Sequence, residues 1–512
     1  MRGAAKVLSA AEAVALIPDG ATVAVGGFIG SLHPEKLTAA LEERFLATGG
    51  PTDLTLIYAA GQGDRDARGL NHLAHEGMVK RVVGGHWNLA PRLGKLALEN
   101  RVEAYNFPQG VLCTLMREIA AKRPGVFTRI GMNTFIDPLH GGGKLNERTQ
   151  EDLVTRVRLG EEEWLWYHSF PITVGLIRGT TADRLGNITV EEEGLIGEGL
   201  PIAQAARNHG GLVIAQVAEI VDRIADPKSV RVPGILVDAI VVVDRTDPAQ
   251  WQTFTDAYQP AFATTASPGE RPQLPVPEFS ERKVIGRRAL REIPDGAIIN
   301  LGIGMPEAIG SAAGEEGKLD RFTFTVESGP IGGVPASGLN FGCASHPEAI
   351  IDQPSQFDFY DGGGLDFSAL GAVEIDQAGN VCVHRMAGRF AGVGGFLNIA
   401  QTARKLVFCC SFTAGGLKVR GDQGALKILQ EGRHCKFVER LEQVTFDAAG
   451  AFERGQEVLY VTERAVFRLT PEGLALIEIA PGIDLETQVL ALMPFRPICG
   501  QVAPMPAECF RV

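Results

Sequence analysis

Apolar positions along this chain alternate between two rhythms. Short β-type runs end in glycine, and stretches with helical spacing follow them. Ser9 and Glu12 form a capping box ahead of Val14, Leu16 and Ile17, and Ile17-Pro18-Asp19-Gly20 then stops the helix with a turn. A strand is expected over residues 21–25, followed by Gly26-Gly27-Phe28. Pro34 stands at the expected first helical position, with Leu37, Ala40, Leu41 and Phe45 on one face. The same order recurs in strands expected over 54–60, 81–83 and 102–106, which end respectively in Gly61-Gln62-Gly63, Gly84-Gly85-His86-Trp87 and Pro108-Gln109-Gly110. Later β-runs cover 172–180, 212–217 and 239–244. Strand, glycine loop and helix in repetition predict a parallel sheet with crossover helices.

Residues 260–278 break the rhythm with five prolines and no periodicity, which is a linker composition. The expected organisation is therefore a first domain over 1–259, a Pro-rich linker over 260–280 and a second domain over 281–512. The second domain opens as the first does. Ala289 to Gly296 answers Val14 to Gly20 around Ile-Pro-Asp-Gly, and the strand over 297–301, Gly302-Ile303-Gly304 and Pro306 answer 21–25, Gly26-Gly27 and Pro34. A second echo sets Asp183-Arg184-Leu185-Gly186-Asn187 against Asp376-Gln377-Ala378-Gly379-Asn380. Two matches in the same order predict a duplicated α/β fold of two similar open-sheet domains, with loops of both meeting at a cleft.

Within the second copy one stretch stands apart. The β-run 322–326 gives way at Glu327 to Ser328, Gly329, Pro330, Ile331, Gly332 and Gly333, so a carboxylate stands at the carboxyl end of a strand, where open α/β sheets place their chemistry. A glutamate carboxylate, ionised at neutral pH, attacks an activated acyl group when it is desolvated and correctly placed. Glycine loops supply closely approached backbone amides for the oxyanion that forms. The bland reading is a solvated loop carboxylate, against which stand two more glycine clusters, Gly362-Gly363-Gly364 and Gly392-Val393-Gly394-Gly395. No Gly-x-Ser-x-Gly elbow is present, and Gly302-Ile303-Gly304 is not a dinucleotide fingerprint, because Glu307 holds the third glycine's place.

Length and composition narrow the class. With 512 residues, 45% apolar content and 62 glycines, the chain suits two or three loop-rich soluble domains, and no long uninterrupted apolar run suggests a membrane span. Its first residues lack the apolar core of a secretory signal, so cytoplasmic residence is the expectation. A net charge of −12 argues against nucleic acid or an anionic membrane as partner. The 8 cysteines show no CxxC pairing and read as buried thiols. His72 and His75 share an expected helical face without a third ligand. They read as solvated surface, and no metal is expected.

Taken together, these motifs resemble the family I coenzyme A transferases, in the fused single-chain acetate/propionate CoA-transferase branch. The resemblance spans nearly the whole chain. In the first half it rests on Gly26-Gly27-Phe28, Gly61-Gln62-Gly63-Asp64, Gly84-Gly85-His86-Trp87, Pro108-Gln109-Gly110 and Thr134-Phe135-Ile136-Asp137-Pro138. In the second it rests on Gly302-Ile303-Gly304-Met305-Pro306, Val326 to Gly333, Phe357 to Gly364, Ala391 to Phe396 and Thr462-Glu463-Arg464-Ala465-Val466-Phe467.

The resemblance implies that Glu327 is the catalytic glutamate of a ping-pong reaction through an acyl-glutamyl anhydride and a glutamyl-CoA thioester. Coenzyme A is then substrate and covalent intermediate, with no permanently bound cofactor. Gly302, Gly304, Gly394 and Gly395 are the implied CoA and oxyanion contacts, and Gly26, Gly27, Phe28, Gln109 and Gly110 the acyl-side lining. The implied donors are acetyl-, propionyl- or butyryl-CoA, the acceptor is a short acid such as acetate, and the assembly is a homodimer or homotetramer. Two departures bear on the acyl pocket: Val-Glu-Ser-Gly-Pro replaces the wider family's Ser-Glu-Asn-Gly, and Leu32 stands where that pattern has glycine. An acyl-CoA hydrolase on the same scaffold and a non-catalytic metabolite-binding module are the alternative readings.

Overall fold

In the computed structural model, residues 5–267, 276–386 and 388–511 are described. Of the expected linker, 268–275 lie outside them. The chain separates into two compact units, one of Met1–Glu270, Val326–Asp358 and Arg385–Asn398, the other of Arg271–Thr325, Phe359–His384 and Ile399–Val512. Two segments of the second half thus group with the first unit. Among them is the segment that carries Glu327.

The first unit is built on eight strands: β1 (Lys6–Val7), β2 (Thr22–Val25), β3 (Leu54–Tyr58), β4 (Val79–Gly84), β5 (Glu103–Asn106), β6 (Val174–Arg178), β7 (Leu212–Val217) and β8 (Ala239–Val242). They hydrogen-bond in the order β1-β8-β7-β6-β2-β3-β4-β5, and every pair is parallel. Helices α1 (Ala10–Ala15), α2 (Glu35–Thr48), α3 (Pro91–Leu98), α4 (Gln109–Ala120) and α5 (Gly199–Asn208) connect them. Sheet and helices close a core through Val23, Val25, Leu37, Leu41, Leu56, Tyr58, Val82 and Trp87. The Ser9–Glu12 capping box forms as its spacing predicts. Pro34, expected as the first helical residue, is instead the N-cap, one place before α2 begins at Glu35.

The second unit repeats the plan. Strands of its main sheet are β9 (Ile298–Leu301), β10 (Thr323–Thr325), β11 (Phe367–Gly371), β12 (Lys405–Cys409), β13 (Glu457–Val461), β14 (Ala465–Thr470), β15 (Gly473–Ile479) and β16 (Ile498–Pro504), flanked in sequence by helices such as α6 (Glu281–Leu290) and α7 (Glu307–Glu315). Their order is β10-β9-β11-β12-β13-β14-β15-β16. The succession β3-β2-β6-β7-β8 of the first sheet thus reappears as β10-β9-β11-β12-β13, all parallel, before β14 and β15 turn antiparallel.

Two details show that the duplication extends to hydrogen bonds. Asp183 Oδ1 accepts from the amides of Leu185 and Asn187 at 2.9 and 3.0 Å, and Asp376 Oδ1 accepts from those of Ala378 and Asn380 at 3.0 and 2.9 Å. Gly186 and Gly379 close these turns at φ +86° and +89°, where only glycine sits without strain. Register supplies the second detail. Thr22 pairs with Thr55 and Ile298 with Thr323, so Ala59 and Glu327 stand at the same distance past these matched positions. One copy carries a methyl group there and the other a carboxylate.

Candidate active site

Strand β10 stops at Thr325, short of the expected 322–326, because Val326 turns at once: its amide donates to Pro330 O and its carbonyl accepts from Gly329 N, both at 2.9 Å. Glu327 sits inside that turn with 8% of its surface exposed, so its carboxylate is mostly desolvated rather than a solvated loop group. Beside it, buried Ser328 donates its hydroxyl to Gly342 O. Gly329 holds φ +127°, and a Cβ there would lie 2.0 Å from Ile351 O. Gly329→Ala must therefore open the turn. A shift of the carboxylate by about 1 Å costs on the order of 10²-fold in rate, so kcat/KM for acetyl-CoA and acetate is expected to fall by about that factor. Far-UV circular dichroism should stay native; a variant with wild-type kcat/KM would show that the turn does not position Glu327.

Phe28 packs beside Gly342, the residue that accepts from Ser328. Its ring lies 6.0 Å from that of Phe341, and a Cβ on Gly342 would meet it at 2.4 Å. Gly26 donates its amide to Leu176 O, and Gly27 adopts φ +132° with His33 packed against it. Leu32, in the place where the family pattern has glycine, adopts φ +55°, a left-handed conformation that costs a side-chain-bearing residue roughly 1–2 kcal/mol.

The other expected cluster assembles at the ends of β4 and β5. Gln109 N donates to Gly394 O at 2.9 Å and Gly394 N to Gly85 O at 2.8 Å. Asn106 fastens the same loop, accepting from Val393 N at 3.0 Å while its Nδ2 donates to the carbonyls of Gly84 and Gly85. Gly395 follows, buried. Gly110 donates to Asn398 Oδ1 at 3.1 Å and abuts Phe357, where a Cβ would lie 2.5 Å from the ring. Gln109 Nε2 is buried and has no hydrogen-bond partner among the described residues.

Gly302 and Gly304 lie in the second unit. Gly302 N donates to Ala369 O at 2.8 Å, and Gly304 O accepts from Arg282 at 2.6 Å. The amides of Gly302 and Gly394 are thus already used inside the fold. Neither amide is left to donate to an oxyanion.

The structure also shows residues that sequence reasoning passed over. His86 lies against Gly61 and Gly394 with Nδ1 unpaired; burial, aided by Arg65, pushes its pKa down to about 4, so the ring is neutral. Glu198, five residues after the acidic run Glu191-Glu192-Glu193, is 1% exposed. Burial pushes its carboxyl up to about 8. The helical pairing of His72 and His75 is corrected: only 70–73 form a 3-10 turn, and both rings turn to Glu42 of α2, at 2.5 and 2.7 Å. They belong to a part-buried carboxylate network rather than to solvated surface. Among the described residues no helix is long and apolar enough to cross a membrane.

Comparison with known proteins gives this arrangement its class. The coenzyme A transferase family profile matches residues 7–243. The acetate CoA-transferase YdiF of Escherichia coli K12 is 45% identical over 503 residues, covering 97% of this chain and 93% of that protein. The caffeate CoA-transferase of Acetobacterium woodii is 44% identical over 501 residues, covering 96% and 95%. The structure of the acyl-CoA transferase YdiF of Escherichia coli O157:H7, a thioester complex with CoA, superposes with a TM-score of 0.92 at 43% identity, covering 99% of this chain and 96% of that one. The chain belongs to the coenzyme A transferase family, in its single-chain form. It is a CoA-transferase, an enzyme whose substrate is coenzyme A in thioester linkage.

Proposed function

We infer that this enzyme moves coenzyme A from a short-chain acyl-CoA, such as acetyl-, propionyl- or butyryl-CoA, to a free short-chain acid such as acetate, with Glu327 as nucleophile. The observation that carries the reading is the desolvated Glu327 carboxylate in a turn built from Gly329 and the Ser328–Gly342 bond. Glu327 Oε attacks the thioester carbon and the C–S bond breaks, leaving an acyl-glutamyl anhydride and CoA thiolate. The thiolate then attacks the glutamyl carbonyl, the anhydride C–O bond breaks, and the donor acid leaves as carboxylate. The acceptor carboxylate runs both steps in reverse. No net proton moves in either step.

Gln109 Nε2 is the side-chain donor for the oxyanion, in keeping with its buried, unpaired state. Gly26, Gly27, Phe28 and Gly110 shape the acyl side, and Gly302, Gly304, Gly394 and Gly395 give the pantetheine arm close approach. We assign the halves 1–259 and 281–512 as fused α-like and β-like parts, a homo-oligomer as the working assembly and the cytoplasm as its place. The similarity to an acetate CoA-transferase and a caffeate CoA-transferase supports carboxylate acceptors as a class.

The test is trapping of the half-reaction. Incubation with acetyl-CoA and no acceptor, then borohydride and peptide mapping by mass spectrometry, is expected to convert Glu327 alone to the reduced alcohol. Turnover with an unmodified Glu327 would overturn the covalent route. CoA release that proceeds at full rate without acetate would instead favour the hydrolase.

A further inference from the structure

Glu198 immediately precedes α5 and is buried, yet neither carboxyl oxygen has a hydrogen-bond partner among the described residues. The backbone amides of Gly27 and of Glu198 itself lie close enough to favour its charged form, an effect that burial outweighs. Native proteins rarely leave such a group unmatched without a ligand or function to match it.

Glu198 is not alone. Helix α8 (Gln353–Asp361) begins with Gln353, whose amide donates to Gly197 O at 3.3 Å and whose Nε2 donates to Cys113 Sγ at 3.0 Å. Gln353 Oε1 is buried and unpaired, as are both amide atoms of Gln356 one turn on. Cys113 lies one turn after Gln109 on α4, and Gly110 is the contact through which α4 meets Phe357. Gln109, Cys113, Gln353 and Gln356 therefore line one seam between α4 and the start of α8, with Glu198 at its end beside Gly27. Unmatched donors and acceptors are concentrated where the acyl-side residues lie.

Resting on the reading above, we propose that Glu198 is a specificity-determining residue that, as a neutral carboxylic acid, donates its O–H to the carboxylate of the free acid substrate. A neutral donor anchors an anion without the repulsion a second carboxylate would bring. Thioester substrates are held mainly by their long CoA arm, whereas a small acid has only this end of the site to hold it. The charged and titratable groups nearby leave Glu198 as the one that titrates around neutrality. On α4, burial holds the Cys113 thiol protonated, and Arg117 and Asp352 act on it from the rim. Beyond Gly27, burial holds His33 down to about 4, so it is neutral.

Two variants separate function from packing: Glu198→Gln keeps a donor of equal size, and Glu198→Leu keeps only size. A hydrogen bond to a charged group is worth about 1.5–3 kcal/mol, roughly a 10- to 100-fold change in binding. KM for acetate is expected to rise by that factor in Glu198→Leu, with KM for acetyl-CoA and kcat within about 3-fold, and to recover largely in Glu198→Gln. The wild-type KM for acetate should climb above about pH 8 as Glu198 loses its proton, and Glu198→Gln should stay flat.

A second, independent readout is thermal stability. The folded carboxyl keeps its proton up to about 8, whereas the unfolded one loses it near 4.5, so stability from this group falls as pH rises through that window. Glu198→Gln should remove that part of the pH dependence and melt higher than wild type at pH 8. Unchanged KM for acetate in Glu198→Leu, or equal losses in the Gln and Leu variants, would overturn the proposal. Borohydride labelling of Glu327, measured on all three proteins, reports the nucleophile separately: its absence in wild type would overturn the reading beneath the proposal and not merely the role of Glu198.

Discussion

Glu327→Gln is expected to remove transferase activity by a factor on the order of 10⁴ or more, the scale on which loss of a covalent nucleophile acts. The amide is isosteric, so the Val326–Gly329 turn and the Ser328–Gly342 bond should persist. An uncharged amide oxygen is a far weaker nucleophile toward a thioester, and the anhydride cannot form. Affinity for the CoA arm should be preserved, which makes the loss one of kcat. Glu327→Asp is the finer probe: one methylene fewer draws the carboxylate back by about 1.5 Å, and a misplacement of that size costs on the order of 10²-fold. Steady-state transfer from acetyl-CoA to propionate and borohydride labelling would be measured together. A Gln variant that retains a tenth of the activity would sink the nucleophilic role.

The second large effect concerns stability. Thr462-Glu463-Arg464-Ala465, one of the motifs behind the family resemblance, forms the turn between β13 and β14, with Thr462 Oγ1 donating to Ala465 O at 2.8 Å. Inside this turn Arg464 is fully buried. It donates through Nε to Glu463 at 2.7 Å, forks onto both oxygens of Glu431 at 2.8 and 2.9 Å, and stacks 4.9 Å over Phe412. Glu463, equally buried, accepts from Phe412 N at 2.8 Å. Removing Arg464 strands the Glu463 charge in the core.

Breaking a buried pair from one side costs about 3–5 kcal/mol, and each kcal/mol is about 2–4 °C in a domain of this size. Arg464→Met is thus expected to lower the melting temperature of the second unit by about 6–20 °C. Arg464→Met with Glu463→Gln should recover part of it, since the stranded charge is then gone. A melting temperature within 2 °C of wild type for the single variant would show that Glu463 finds another partner or takes up a proton.

Much of this protein was legible along the chain because its code is local. Alternating apolar runs, glycine loops and the Ser9 capping box gave strands and helices close to their observed bounds, and the repeated Ile-Pro-Asp-Gly and Asp-x-x-Gly-Asn segments gave the duplication that the strand orders bear out. The strand-end position of Glu327 was likewise local, since β-run and glycine cluster adjoin in sequence.

What sequence left open depends on residues far apart in the chain. Whether a glycine amide is free or already bonded, as for Gly302 to Ala369 and Gly394 to Gly85, is decided by a strand or loop from elsewhere. Glu198 carries no mark of burial along the chain, and His72 and His75 give no sign that Glu42 waits between them. The grouping of Val326–Asp358 with the first unit is also a long-range outcome, made by contacts such as Phe28 with Gly342 and Gln353 with Cys113. Periodicity and turn chemistry act over a few residues, so the sequence alone determined the elements, their repetition and the chemical group offered at the end of β10. Desolvation and pairing act through space, so only the tertiary structure decided which carboxylates are buried, which donors remain unspent and what surrounds Glu327.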